Sequence, residues 1–193
     1  YRNVEAGIKA PFDAIIAVES LDGSIGRGLL TGMLSYAIAD HLKLNDDLKQ
    51  TILQAGLLQD MGKEAVPHHI LNRPASLTEQ EIKLIEKYVI ESVAILKRLG
   101  YVDETLLDIV KHHHELWNGN GYPDGLKEEA IPIGARITAI AEVYGAMTSW
   151  RPYRGSWDAR LAVNELKKNT EKGYYDPQVA EALFEILRES TPE

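Results

Sequence analysis

Apolar residues recur every three or four positions along almost the whole chain, and no stretch alternates apolar with polar over the length of a half-buried strand. Leu48, Ile52, Leu53 and Leu57 form one such stripe; Ile82, Ile85, Val89, Val93 and Leu96 form another; Leu106, Leu107 and Val110, then Ile133, Ile137, Ile140 and Tyr144, form two more. A stripe of this period covers one face of a helix, and the face must be buried against another helix. Start signals stand where the stripes begin: Asn45-Asp46-Asp47, a Thr78/Glu81 capping pair, Asp103, Pro132, and Asp176 followed by Pro177 at a first helical position. The spacing predicts about eight helices. With no repeat, low-complexity tract or linker to divide it, the chain reads as one all-α domain over residues 1–193. Its opening YRNVEAGIKA is amphipathic and starts at Tyr1, so residues 1–22 read as a connecting helix from a longer chain.

Two segments interrupt the helical rhythm: AVPHHILNRPAS at 65–76 and HELWNGNGYPDGLKEEAIP at 114–132. Asn-Gly, Asp-Gly and Tyr-Pro dipeptides make the second a turn-rich loop, and loops of this length are usually functional or disordered. Trp117, Tyr122 and Leu126 supply apolar anchors, so an ordered, functional loop is expected.

The formal charge of −8 disfavours sequence-independent binding to nucleic acid or to an anionic membrane, so an anionic ligand needs a local basic patch. The chain has no cysteine, which removes disulfides, thiol nucleophiles and thiolate metal sites and fits a reducing, cytoplasmic setting. No apolar run reaches the roughly 18 residues of a membrane span. Any metal would sit on histidines and carboxylates.

Two places carry such groups. His112-His113-His114-Glu115 ends a predicted helix, where exposed carbonyls favour a cation. Adjacent positions on a helix diverge, so two neighbouring histidines serve one metal only if the helix stops between them; otherwise the run is a surface tract or serves two ions. Gln59-Asp60-Met61-Gly62-Lys63 closes another helix. Asp60 could be a hard oxygen ligand and Lys63 a phosphate contact, although a carboxylate, a glycine and a lysine also end many helices for structural reasons alone. Other candidates are plainer: His68 and His69 pack or are exposed, His41 caps a carbonyl, and Trp157, Leu161 and Leu166 belong to the core. Glycines 23, 26, 28 and 32 permit close helix packing, within the chain or in a homodimer.

HHELWNGNGYPDGL at 113–126 resembles the signature H-H-E-x-x-[DN]-G-x-G-Y-P of HD-GYP domains. LLQDMGK at 57–63, ILNRPASLTEQE at 70–81 and ARITAIAEVYGAMTSWRPYR at 135–154 are similar to three further family motifs, in order and at matching spacings from about Ser24 onward. The resemblance implies an HD-type helical bundle with a long GYP loop. It also implies two or three bound metal ions, commonly iron or manganese, and hydrolysis of cyclic di-GMP or a related cyclic dinucleotide by metal-activated hydroxide.

By the same resemblance, His113, His114, Asp60 and Glu142 fall on metal-ligand positions, and Asp60 and Lys63 are the catalytic candidates should the domain be active. Four other ligand positions are lost: the histidine of the HD dyad is Gln59, a further histidine falls on Tyr88, and an upstream Glu/His pair falls on Gly23 and Arg27. Amide oxygen and guanidinium are poor replacements for imidazole and carboxylate. A second aspartate of the A-D-x-Y-D-A motif is Gly145, and Trp150 stands where aspartate is frequent. The remaining set would hold no metal or one weakly held divalent ion, iron or manganese. Lys63, Tyr122, Arg151 and Arg154 fall on positions linked to the nucleotide, where arginine can pair with phosphate and tyrosine can stack on a base. Alternatively, Arg151 and Arg154 are solvated residues around Pro152 and Tyr122 anchors its loop. The expected function is a degenerate HD-GYP signalling domain, catalytically inactive, that senses cyclic di-GMP or docks a GGDEF-domain or other signalling protein. The alternatives are an active phosphodiesterase with a reduced metal site and a dimerisation scaffold without ligand.

Overall fold

The computed structural model describes residues 25–71, 77–149 and 157–189. Among these residues the chain is helical without strands: α1 Ile25–His41, α2 Asp46–Leu58, a single-turn α3 His68–Leu71, α4 Glu79–Glu86, α5 Tyr88–Arg98, α6 Glu104–His112, α7 Ile133–Thr148, α8 Ala159–Glu171 and α9 Pro177–Glu189, with 3-10 turns at Met61–Ala65 and Glu128–Ala130. No described helix is long and apolar enough to cross a membrane. The caps anticipated in the sequence are formed. Asn45 accepts the Leu48 amide at 2.9 Å, Thr78 and Glu81 make a reciprocal capping box, Asp103 accepts the Thr105 amide at 2.9 Å, and Asp176 accepts that of Gln178 at 2.9 Å. The stripe from Ile82 to Leu96, expected as one helix, is two, broken at Lys87, where Ile90 N–H reaches back to the Lys87 carbonyl at 3.0 Å.

Helix α7 is the axis of the bundle, with Ala135, Ile137, Ile140, Ala141 and Tyr144 buried against α1, α2, α6, α8 and α9. Leu34, Ile38, Ile52, Leu106, Ile109, Val110, Leu166 and Leu183 complete the core. Glycines seat α1 on α2: a Cβ at Gly28 would lie 2.9 Å from the Leu57 carbonyl oxygen, and one at Gly32 2.8 Å from that of Leu53. Gly28 and Gly32 are thus used for packing within the chain, and Gly23 lies outside the described residues. Two expectations are corrected. Leu161 is 58% exposed, so it lies outside the core that holds Leu166, and Trp157 is only partly buried. His41 does not cap a carbonyl; its Nε2 lies 2.8 Å from Glu185 Oε2, tying α1 to α9. A smaller apolar cluster of Val66, Tyr88 and Val89, flanked by Ile85 and Tyr122, sits apart from the main core.

Candidate functional site

The site forms where three helix ends meet: the α2–Met61 turn, the start of α5 and the end of α6, with α7 behind them. Helix α6 stops at His112, and this allows His113 and His114 to converge, with ring centroids 4.4 Å apart. His113 is fully buried. Its Nδ1 lies 2.7 Å from the Val110 carbonyl oxygen, which fixes the proton on Nδ1 and leaves Nε2 as an acceptor. Tyr88 Oη, only 2% exposed as a residue, lies 2.8 Å from that Nε2 and 2.6 Å from His114 Nε2. The tautomers follow: Tyr88 O–H donates to His113, and His114 Nε2–H donates to Tyr88 Oη.

The two carboxylates gather round a lysine. Lys63 Nζ lies 2.7 Å from both Asp60 oxygens and 3.8 Å from Glu142 Oε1, and it sits 4.9 Å from the Tyr88 ring centroid. Glu142 Oε2 is in turn 4.0 Å from His113 Nε2 and 3.8 Å from His114 Nε2. Burial holds the His113 imidazolium down to about 4 against the opposing pull of Asp60, and burial, then the neighbouring His113 and Lys63, holds His114 well below its ordinary range. Burial first, then the charges of Asp60 and Glu142, pushes the Tyr88 phenol far upward, so both imidazoles and the phenol are neutral at pH 7. Tyr122 stacks on His114 at 4.8 Å and 22° while packing on the Val66–Tyr88–Val89 cluster, so it both faces the site and anchors its loop.

Ligand atoms of His113, His114 and Glu142 lie within 4.8 Å of one another, a donor set that fits one divalent ion. Among the described residues, Lys63 hydrogen-bonds Asp60 Oδ2, the Tyr88 phenol stands between the two imidazoles, Arg27 is exposed in the first turn of α1, and the buried Gln59 side-chain oxygen and Asp60 Oδ1 have no hydrogen-bond partner. Gly23, Arg151 and Arg154, with Trp150, lie outside the described residues.

Sequence reading missed the residues that hold these groups in place. Ser92 Oγ donates to the Gln59 carbonyl at 2.7 Å and accepts from the Gly62 amide at 2.8 Å, pinning the Gln59–Gly62 turn to α5. A Cβ at Gly62 would overlap the Tyr88 carbonyl oxygen, so this glycine is a close-packing residue and not merely a helix stop. Glu115, 2% exposed, accepts the amides of Asp124 at 2.7 Å and Leu126 at 3.0 Å, so the long loop is ordered around a buried carboxylate. His112 closes the same loop by its Nε2 contact of 3.0 Å with Asp124 Oδ2. The glutamate within H-H-E was a signal available in the sequence; the contacts of Ser92 and Gly62 were not, because they join segments about thirty residues apart.

Comparison with known proteins places this site in a family. Residues 14–179 match the model of the HD domain. The chain is 40% identical over 154 residues to a cyclic di-GMP phosphodiesterase of Pseudomonas aeruginosa, covering 80% of this chain and 37% of that protein. It is 35% identical over 161 residues to a cyclic di-GMP phosphodiesterase of Thermotoga maritima, covering 83% and 44%, and 34% identical over 150 residues to 3'3'-cGAMP-specific phosphodiesterase 1 of Vibrio cholerae, covering 78% and 35%. The chain thus spans less than half the length of these relatives. The fold is that of an HDG"Y"P protein of Bdellovibrio bacteriovorus, with TM-score 0.72 at 23% identity over 92% of this chain and 57% of that one. It is also that of the PgpH phosphodiesterase HD domain of L. monocytogenes in complex with cyclic-di-AMP, with TM-score 0.61 at 16% identity over 95% and 98%. The matched model, the order of the motifs and the GYP loop built on Glu115 together make this chain a member of the HD domain family, of the HD-GYP kind.

Proposed function

We propose that this domain is a degenerate HD-GYP module that no longer hydrolyses phosphodiesters and serves in cyclic di-GMP signalling as a nucleotide sensor or a docking unit. The observation that carries this is the Tyr88 hydroxyl at 2.8 Å and 2.6 Å from His113 and His114 Nε2. A neutral phenol satisfies the imidazoles that would otherwise face metal, and the Lys63 ammonium neutralises Asp60 beside them. Metal-assisted hydrolysis needs an open coordination position for water and, with two ions, a clamp on both the attacking and leaving oxygens. Two imidazole nitrogens occupied by a tyrosine, with one glutamate oxygen beside them, supply neither.

Lys63, with Tyr122 stacked on His114, leaves a cation and an aromatic face at the partly exposed edge of the site, chemistry suited to a phosphate and a base. Arg151 and Arg154 would add guanidinium groups for phosphate. A GGDEF-domain protein or another signalling partner is the candidate for docking on the GYP loop. The reduced-metal phosphodiesterase keeps one supporting observation, the spacing of His113, His114 and Glu142. The test is calorimetric titration of the domain with cyclic di-GMP in chelator, on wild type and Lys63→Ala. Binding that weakens in the variant supports the sensor; absence of binding leaves docking, read out as complex formation with a GGDEF domain.

A further inference from the structure

The long loop carries three pairs whose glycine amide can attack the preceding side-chain carbonyl: Asn118-Gly119, Asn120-Gly121 and Asp124-Gly125. The fold treats them differently. Gly119 N–H donates to the Leu116 carbonyl at 2.7 Å, and Asn118 Oδ1 accepts the Asn120 amide at 3.0 Å, an Asx turn that holds the side chain off the Gly119 nitrogen. The Asp124 carboxylate is held by Lys111 and by His112. Asn120 is exposed, and neither its side chain nor the Gly121 N–H has a hydrogen-bond partner among the described residues. Nor can the fold replace the glycine. A Cβ at Gly121 would overlap the Leu116 amide nitrogen and lie 2.5 Å from Glu115 Cα and from the His114 carbonyl oxygen.

We propose that Asn120 is a site of spontaneous deamidation, and that its conversion to isoaspartate detaches Tyr122 from the site as the protein ages. Asparagine is among the thermolabile side chains. The Gly121 nitrogen attacks Asn120 Cγ; the new C–N bond forms, the Cγ–Nδ2 bond breaks, and ammonia leaves with the proton of the Gly121 amide. Water then opens the cyclic imide at one of its two carbonyls, giving aspartate or isoaspartate. The net change is amide plus water to carboxylate plus ammonium. Isoaspartate adds a methylene to the main chain between two fixed points, the Gly119 amide on the Leu116 carbonyl and the Tyr122 amide on the His114 carbonyl at 3.2 Å. With Gly121 packed against Leu116 and Glu115, the added length has nowhere to go, and the stack of Tyr122 on His114 is lost. The change is one-way and does not depend on whether the domain hydrolyses a nucleotide.

The experiment is incubation of the purified chain in warm, mildly alkaline buffer, native and in urea, followed by peptide mass spectrometry and labelling with an isoaspartate methyltransferase. In the native protein, conversion at Asn120 is expected to exceed that at Asn118 at least about tenfold, because Asn118 reacts only after its hydrogen bonds open. In urea the two are expected to convert at similar rates. The Tyr122 amide is expected to exchange its hydrogen faster in the aged protein, and at the original rate in Asn120→Ser aged alongside. Native conversion that is equal at the two sites, or absent at Asn120 while it proceeds in urea, overturns the proposal. So does an aged, isoaspartate-containing protein whose Tyr122 amide exchanges as before; neither the site ratio nor this comparison needs the variant to fold.

Discussion

Replacing Tyr88 by Phe removes one oxygen and leaves the ring that packs on Val66 and Val89 in place, so almost the whole effect is polar. The hydroxyl makes two hydrogen bonds, and they differ in consequence. His113 is fully buried and its Nε2 has no route to water, so it would become an unpaired acceptor at a cost of about 1–3 kcal/mol. His114 is 28% exposed at its side chain and can recruit water, so its loss is at the low end of the net value of a hydrogen bond, about 0.5 kcal/mol. The sum is about 2 kcal/mol of destabilisation, or a Tm lower by about 4–8 °C for a chain of this size. Urea and thermal unfolding in chelator, followed by circular dichroism, measures it. A change below about 0.5 kcal/mol would refute the claim that the tyrosine satisfies the buried histidine pair.

Gly62→Ala, whose added methyl overlaps the Tyr88 carbonyl and lies 2.8 Å from Ser92 Oγ, is expected to cost about 1–3 kcal/mol in the same unfolding assay, where Gly100→Ala, in open space but at φ 90°, reports backbone strain alone. Because folded His113 is held at about 4 while the unfolded imidazole titrates near its ordinary value of 6.5, the unfolded chain takes up the proton first. The contribution of His113 to stability is therefore full above pH 6.5, falls as pH drops towards 4, and amounts to about 3 kcal/mol, seen as the difference between wild type and His113→Gln in chelator. Returning imidazoles by Gln59→His with Tyr88→His is expected to raise bound Mn(II), counted by elemental analysis after gel filtration, above that of wild type; no gain would argue that Arg27 and the upstream positions are the dominant loss.

The fold was legible because its signals are local. Asn45, Thr78, Asp103 and Asp176 cap helices that the apolar period already outlines, and each cap needs only its own next turn. The break at Lys87 was not legible, since the stripe from Ile82 to Leu96 runs through it unchanged and only the placement of Tyr88 beneath the histidines shows its use. In the site, His113, His114, Asp60, Lys63, Glu142 and Tyr122 were found from motifs, and the structure brings all six to one place. Tyr88 was identified only as a missing ligand. Its role as the hydrogen-bond centre depends on α5 and α6 meeting end to end, a contact between residues 25 and 26 positions apart that no local pattern encodes. Asp60 stands at a motif ligand position, and what the motif does not show is that Lys63, three residues on, hydrogen-bonds its Oδ2 at 2.7 Å while its buried Oδ1 has no hydrogen-bond partner among the described residues.

Loss of phosphodiester hydrolysis is the claim on which the account turns, and turnover measures it directly. The chain, purified without chelator, is incubated with cyclic di-GMP under anaerobic Fe(II) and then Mn(II), and products are separated by chromatography. The account predicts no linear dinucleotide or GMP above the metal-only control. Product that forms with wild type and disappears with His113→Ala would contradict it, and would show that His113, His114 and Glu142 suffice for catalysis once Tyr88 moves aside.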